Sequence, residues 1–187
     1  NNKGENSLPM SGSINPQSKF KLTQNGVVYL TASYTDKGAD EVPSLVGTAH
    51  KTLRNPLVKS VSADQASNFS KVSFNGNELY VANGEDAWLK FNQISLENVR
   101  DMTVQYGVQQ PVQKGWSLEV HLDSPDGTLL GKTTIGPGAK AQKPNSTRLR
   151  FTKHAGADLH DVYLVLHKQD SSEQSGMGLM SFKLQAR

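Results

Sequence analysis

The 187-residue chain has no cysteine, an absence that removes disulfides, thiolate metal sites and a cysteine nucleophile together. Long apolar runs are missing too: nothing approaches the roughly 20 residues that a membrane-spanning helix requires. No stretch holds the 3.6-residue apolar period of an amphipathic helix, and no internal repeat is evident. A strong excess of either charge is missing as well, since 20 Lys and Arg stand against 17 Asp and Glu for a formal net charge of +3. The lack of disulfides leaves the compartment open, because a chain of this length can bury enough core to fold without covalent staples.

What is present is turn chemistry and strand alternation. With 16 Gly, 8 Pro and 35% hydrophobic residues, the composition suits a turn-rich globular protein with one core, or one core plus an extension. The chain is organised around His160-Asp161-Val162-Tyr163-Leu164-Val165-Leu166-His167. Its uninterrupted β-branched, aromatic and aliphatic residues read as a central strand, with Val162, Leu164 and Leu166 on one face and Tyr163 and Val165 on the other. Trp116, Leu118, Val120 and Leu122 alternate with Ser117, Glu119, His121 and Asp123 as a half-buried strand. Met102, Val104, Tyr106 and Val108 repeat the pattern. Ser124-Pro125-Asp126-Gly127 is a tight turn into a strand over Thr128 to Ile135. Leu149 and Phe151 sit between Arg148, Arg150 and Thr152 as another half-buried strand, and Met180, Phe182 and Leu184 share a face of the last.

Residues 1–18 are polar and read as a loose arm. Phe20 and Leu22 alternate with Lys19, Lys21 and Thr23, and Asn25-Gly26 predicts a hairpin whose return strand is Val27 to Tyr34. The stretch from Gly47 to Pro56 shows no clear period, and a boundary falls near Asn55-Pro56. About ten short strands are too many for one open sheet. The expected fold is therefore all-β: a two-sheet jelly-roll β-sandwich over 57–187 with an N-terminal β-hairpin extension over 1–56.

Three segments, in order, resemble carbohydrate-binding modules of family 6, which are galactose-binding-like sandwiches. They are Asn83-Gly84-Glu85-Asp86-Ala87-Trp88-Leu89-Lys90-Phe91, then Gly115 to Asp123 with Gly127-Thr128-Leu129-Leu130-Gly131, then His160 to Leu166. The resemblance implies a non-catalytic polysaccharide-binding accessory module of a larger exported carbohydrate-active protein, extracellular or periplasmic, a monomer within its longer chain. The opening Asn1-Asn2-Lys3-Gly4 agrees with a mature form or excised fragment whose export signal lies upstream. Residues 29–56 also resemble the segment preceding such modules in multidomain secreted proteins of Bacteroidetes.

This sequence departs from the family where the family holds a structural calcium and a sugar hydroxyl. The acidic positions of the first strand fall near Lys59 and Val61, and the closing Asn-Ile-Asp-Trp-like motif becomes Gly178-Leu179-Met180-Ser181. Lys, Val and Met offer a hard cation no oxygen ligand, so no calcium site is expected. The sugar-facing Asn is replaced by Gly178, and the loop from Gly136 to Thr147 has no aromatic residue. An alternative therefore stands beside the first: a degenerate module that has lost its glycan site and serves as a structural or protein-interaction domain.

Sugar binding needs an aromatic platform and a few directional polar groups. Tyr80 lies where the family places one wall of a loop-end cleft. Trp88 has parity opposite to Ala87, Leu89 and Phe91, which turns it outward beside Lys90 and Asn92. The candidate sugar contacts are Tyr80, Trp88, Lys90 and Asn92; the competing reading is that both aromatics belong to the core. Trp116 shares its face with Leu118 and Val120 and reads as core.

Other motifs carry no chemistry. On one strand His160 and His167 differ by an odd number and face apart, so they cannot chelate together. His160-Asp161 has no accompanying serine motif for a triad, and the adjacent Glu85 and Asp86 diverge where glycoside hydrolysis needs facing carboxyls. Gly127 to Thr133 is one residue short of a phosphate loop and sits in a hairpin. Neither catalysis, a cofactor nor a metal is expected. Between Asp126 and Asp158 lie six cations and no acid, which marks Arg148, Arg150 and Lys153 as a polyanion patch or a solvated surface. An acidic polysaccharide fits it better than nucleic acid, because no aromatics are interleaved for base stacking.

Overall fold

The computed structural model describes residues 27–38, 42–74 and 76–186. In chain order the strands are β1 (Val27–Thr35), β2 (Val46–Arg54), β3 (Leu57–Lys59), β4 (Gln65–Ser67), β5 (Phe69–Phe74), β6 (Asn77–Ala82) and β7 (Asp86–Ser95). They continue as β8 (Val99–Val108), β9 (Trp116–Leu122), β10 (Thr128–Ile135), β11 (Pro144–Arg150), β12 (Leu159–Lys168) and β13 (Met177–Ala186), with a 3₁₀ turn at Ser60–Ser62. Two antiparallel sheets face each other, one ordered β10-β9-β12-β7-β4 and the other β11-β8-β13-β6-β5 with β3 also on β13. The all-β sandwich read from the sequence is the observed fold, and β12 is the middle strand of its sheet.

Strand alternation produces the core directly. Val162, Leu164 and Leu166 of β12, Leu118 and Val120 of β9, and Met102 and Val104 of β8 are all buried at or near zero exposure. Phe91 and Phe182 meet edge to face across the two sheets, 4.9 Å between centroids. Burial of side chains of this size contributes roughly 2–3 kcal/mol each. Trp116 is buried as expected, its indole N–H donating to Ser175 Oγ at 3.1 Å so that no polar atom is stranded. The turn into β10 forms as read, with Gly127 N–H donating to Ser124 O at 3.1 Å. A Cβ on Gly127 would lie 1.9 Å from Leu122 O, so only glycine fits there.

One loop is fastened by a buried acid. Glu173 Oε2 accepts the N–H groups of Gln113, Lys114 and Gly115 at 3.0, 2.5 and 2.9 Å, and its Oε1 accepts Ser175 N–H at 2.9 Å. Burial favours the protonated form, but these donors outweigh it and bring the carboxyl down to about 2.

One part of the sequence reading is untested, and two others are altered by what lies beside the strands. The hairpin arm over Lys19 to Thr23 and its Asn25-Gly26 turn lie outside the described residues. Val27–Thr35 is a strand, and it pairs with β2, which the sequence left without a period. Its described side chains are exposed on both faces, so no burial constraint writes an alternation into it. Asp36 Oδ1 closes the connecting loop, accepting Gly38 N–H at 3.0 Å and Leu45 N–H at 2.8 Å. Finally, Met180 does not share a face with Phe182. A register shift between Leu179 and Ser181 turns Leu179 and Phe182 inward and leaves Met180 half-buried on the outer side, where it lines a groove.

Candidate functional site

The outward face of the five-stranded sheet is assembled by register. Across it run Lys132, Glu119, Val165, Trp88 and Ser67, one from each strand, and beside them Leu129, His121, Tyr163, Lys90 and Gln65. Trp88 is half-buried and meets Tyr163 edge to face at 5.4 Å. Tyr163 is 7% and Val165 3% exposed. These two floor the space between Trp88 and Glu119, which stand two strand spacings, roughly 10 Å, apart.

Every charge on this face is matched. Lys90 Nζ donates to Asp161 Oδ2 at 2.8 Å and lies 5.9 Å from the Tyr163 ring centroid. The Asp161 hydrogen bond holds the Lys90 ammonium above its usual range, against a smaller opposing effect of burial. Asp161 is correspondingly lowered, with Lys90 as the main cause. Glu119 takes Lys132 Nζ at 2.6 Å and Ser117 Oγ at 3.2 Å on Oε1, and His121 Nε2 at 2.9 Å on Oε2. Burial raises the Glu119 carboxyl, but Lys132 and His121 prevail and bring it to about 2. The result is a fixed set of donors and acceptors beside an aromatic edge.

A bulge sets one end of the face. Asn92 and Gln93 of β7 stand opposite the single residue Asp161 between the pairs Phe91–Val162 and Ile94–His160. Gln93 adopts φ +54° and donates its N–H to Asp161 Oδ1 at 3.2 Å, and Asn92 N–H donates to Asp64 Oδ2 at 2.7 Å. His160 and His167 lie at opposite ends of β12 on different acids, Asp123 at 3.0 Å and Asp86 at 2.6 Å.

Trp88, Lys90 and Asn92 thus come together on β7. Tyr80 is elsewhere: it belongs to β6 of the other sheet, packs against the core, and meets Phe69 edge to face at 6.1 Å. Tyr163, Glu119, His121 and Lys132 were not singled out from the sequence. Their outward parity is in the alternation, but their proximity to Trp88 follows from the strand order β10-β9-β12-β7, which alternation within a strand does not carry.

The other sheet's outer side bears an apolar groove of about 680 Å³, lined by Val72, Leu79, Val81, Val108 and Met180 with Gln109, Gln142 and Lys143 at its rim. Its centre is the pair Gly107 and Gly178 on adjacent strands. A Cβ on Gly178 would approach Leu79 Cδ1 to 2.6 Å, so the Asn that the family resemblance places there does not fit without displacing Leu79. The calcium positions do not suit a hard cation either. Lys59 pairs with Ser181 across β3 and β13, Val61 sits in the 3₁₀ turn, and none of Lys59, Val61 and Met180 carries a side-chain oxygen. Among the described residues no three His, Asp or Glu gather as a metal site.

Two facing antiparallel sheets with a polar and aromatic outer face define a β-sandwich domain. The model of carbohydrate binding module family 6 matches residues 59–184, so this chain belongs to that family, whose members bind and do not catalyse. Among solved structures, a β-1,3-glucan binding module of the family from Bacillus halodurans is 21% identical with a TM-score of 0.59, covering 72% of this chain and 99% of its own. A family 6 module from Clostridium cellulolyticum in complex with xylose is 20% identical with a TM-score of 0.59, covering 69% and 95%. A family 43 arabinoxylan arabinofuranohydrolase from Bacillus subtilis, in complex with cellotetraose, is 15% identical with a TM-score of 0.58 over 73% of this chain. The chain spans 29% of that enzyme's length. No curated protein matches the sequence. No helix among the described residues is long and apolar enough to cross a membrane.

Proposed function

We propose that this chain is a non-catalytic accessory module that holds a poly- or oligosaccharide against the outer face of β7, β12 and β9. The observation that carries this reading is Trp88, turned outward by strand parity and flanked by Tyr163, Lys90 and, across Val165, Glu119. An indole edge and face offer the apolar side of a pyranose its partner, while Lys90, Asn92 and Glu119 supply directional contacts to hydroxyls. Residues 57–187 form the binding unit and 1–56 an extension. The hairpin leaves Tyr34, Leu45 and Val46 exposed, a surface that an adjoining domain of a larger exported protein would cover.

Affinity electrophoresis through gels containing β-1,3-glucan or xylan tests it, these being suggested by the ligands named for the relatives. Retardation by one of them, lost in Trp88→Ala, supports the reading. Migration unchanged across a panel of neutral and acidic polysaccharides overturns it. The second reading, a module kept for packing, draws on Gly178 in place of the sugar-facing Asn and on the core packing of Tyr80. It predicts no retardation in any gel, together with loss of stability when the hairpin is removed.

A further inference from the structure

The densest unexplained feature outside the Trp88 face is charge on the other sheet. β11 is its outermost strand, and the outward residues Pro144, Ser146, Arg148 and Arg150 are exposed while Leu149 is buried. Register places Arg148 beside Thr103 of β8 and, beyond it, Lys183 of β13. In the next row Arg150, Asp101 and Gln185 stand side by side. Lys153 falls past the end of the strand in the following turn, so Lys183, distant in sequence, takes its place in the cluster.

A groove of about 830 Å³ runs alongside, lined by Lys51, Leu53, Glu97, Asp101, Arg148, Lys183 and neighbours. Glu97 pairs with Lys51 at 2.9 Å, and the single Asp101 carboxylate faces both Arg148 at 2.6 Å and Arg150 at 3.7 Å, so with Lys183 the cations outnumber the acids. Asp101 is the informative residue. It is 2% exposed, and its carboxylate lies beneath Arg148 at 2.6 Å and Arg150 at 3.7 Å, whose side chains are 55% and 73% exposed. Burying a carboxylate is costly. Here it anchors two guanidinium groups whose side chains stay largely exposed.

From this arrangement we propose that the β11 side of the six-stranded sheet is a second binding surface, for an anionic polysaccharide bearing carboxylate or sulfate groups. A guanidinium presents two parallel donors to such a group. Arg148 and Arg150, two residues apart on a strand, stand roughly 7 Å apart and engage successive anionic groups of a polymer more readily than one small ion. No aromatic residue occurs among the groove-lining and row residues named, so a nucleic acid finds no platform for its bases. The surface is independent of the Trp88 face, and either can fail without the other.

The test is affinity electrophoresis of the full chain at low ionic strength in gels containing polygalacturonate, with neutral dextran and single-stranded DNA as comparators. The working variant is Arg150→Gln with Lys183→Gln, because it leaves Asp101 paired to Arg148; far-UV circular dichroism checks that it folds. Retardation by polygalacturonate that weakens with added salt, falls at least tenfold in the double variant and persists in Trp88→Ala is the expected result. Absent retardation, or equal retardation of the double variant, overturns the proposal. So does tighter retention by DNA than by polygalacturonate, which assigns the surface to nucleic acid. Unchanged binding with aggregation of the double variant also overturns it, since the cations then serve to protect an edge strand from pairing.

Discussion

The two outer faces of this sandwich are built from the same alternating strands and solve charge in opposite ways. On the β7, β12, β9 face each acid meets a base within the same plane: Lys90 with Asp161, Glu119 with Lys132 and His121. On the β11, β8, β13 face the acid is buried and its arginines are not. A matched surface favours a neutral, hydroxyl-rich ligand seated on aromatics. An unmatched one attracts anions from a distance and loses that attraction in salt. The family's fold therefore leaves open which face binds, and the side chains decide it.

The contrast between the faces should be broken most directly by removing Arg148 from over the buried Asp101. Arg148→Ala strands the Asp101 carboxylate beneath the surface with Arg150 at 3.7 Å, and should lower the urea midpoint, because a buried charge is left with one distant partner. Adding Asp101→Val should recover part of that loss, since a matched apolar pair needs no counter-charge. An unchanged midpoint for Arg148→Ala would mean that the carboxylate is neutralised in some other way, and the contrast between the faces would disappear.

Next is Trp88→Ala, which separates binding from folding. Its ring is half-buried on the outside of the sheet, so it should reduce neutral glycan affinity by ten- to a hundredfold while lowering stability by only about 1 kcal/mol. Trp116→Ala offers the contrast, because that ring is 1% exposed and its loss should cost about 4 kcal/mol with no specific effect on a ligand.

Much of this was legible from the chain alone. The alternation in Trp116–Leu122 and Met102–Val108 wrote two buried half-faces, and the parity of Trp88 against Ala87, Leu89 and Phe91 pointed its ring outward. Illegible were features that depend on what lies beside a strand. The shift at Met180 turned that side chain from the core to a groove, and the bulge at Asn92 and Gln93 brought Asp161 to Lys90. β2 was invisible because a strand exposed on both sides has no reason to alternate. Asp101 gave no signal either: a lone acid among Arg100, Met102 and Thr103 looks like surface until Arg148 is placed over it.

Glu119 sharpens the comparison through acid. Its folded pKa of about 2 lies below the 4.5 of an ordinary glutamate. A depressed carboxyl contributes stability that is present above pH 4.5 and is lost as pH falls toward 2. Glu119→Gln should therefore lower stability at pH 7 by roughly 2 kcal/mol and flatten the decline between pH 4.5 and 2. Glu173 remains as a second acid titrating in the same window, so the profile should flatten without becoming level.

The smallest effect belongs to His160, at the end of the matched face. Its Nδ1 lies 3.0 Å from Asp123 Oδ2 and its Nε2 2.9 Å from Ala155 O, so both ring nitrogens point at acceptors and only the imidazolium satisfies both. Partial burial disfavours that charge, but the Asp123 carboxylate and the Ala155 carbonyl outweigh it and raise the pKa above 6.5. A raised folded pKa contributes stability that is complete below pH 6.5 and fades as pH climbs through the folded value. His160→Gln should lose up to about 1 kcal/mol at pH 5.5 and much less at pH 9, read from the difference in Tm between the two pH values. Because Asp123 Oδ1 also accepts Asp161 N–H at 3.1 Å, and Asp161 holds Lys90, the same titration should slightly weaken glycan binding at high pH on the Trp88 face. Binding at the arginine face should be indifferent to it, as no contact joins His160 to Asp101, Arg148 or Arg150 among the described residues' hydrogen bonds and ion pairs.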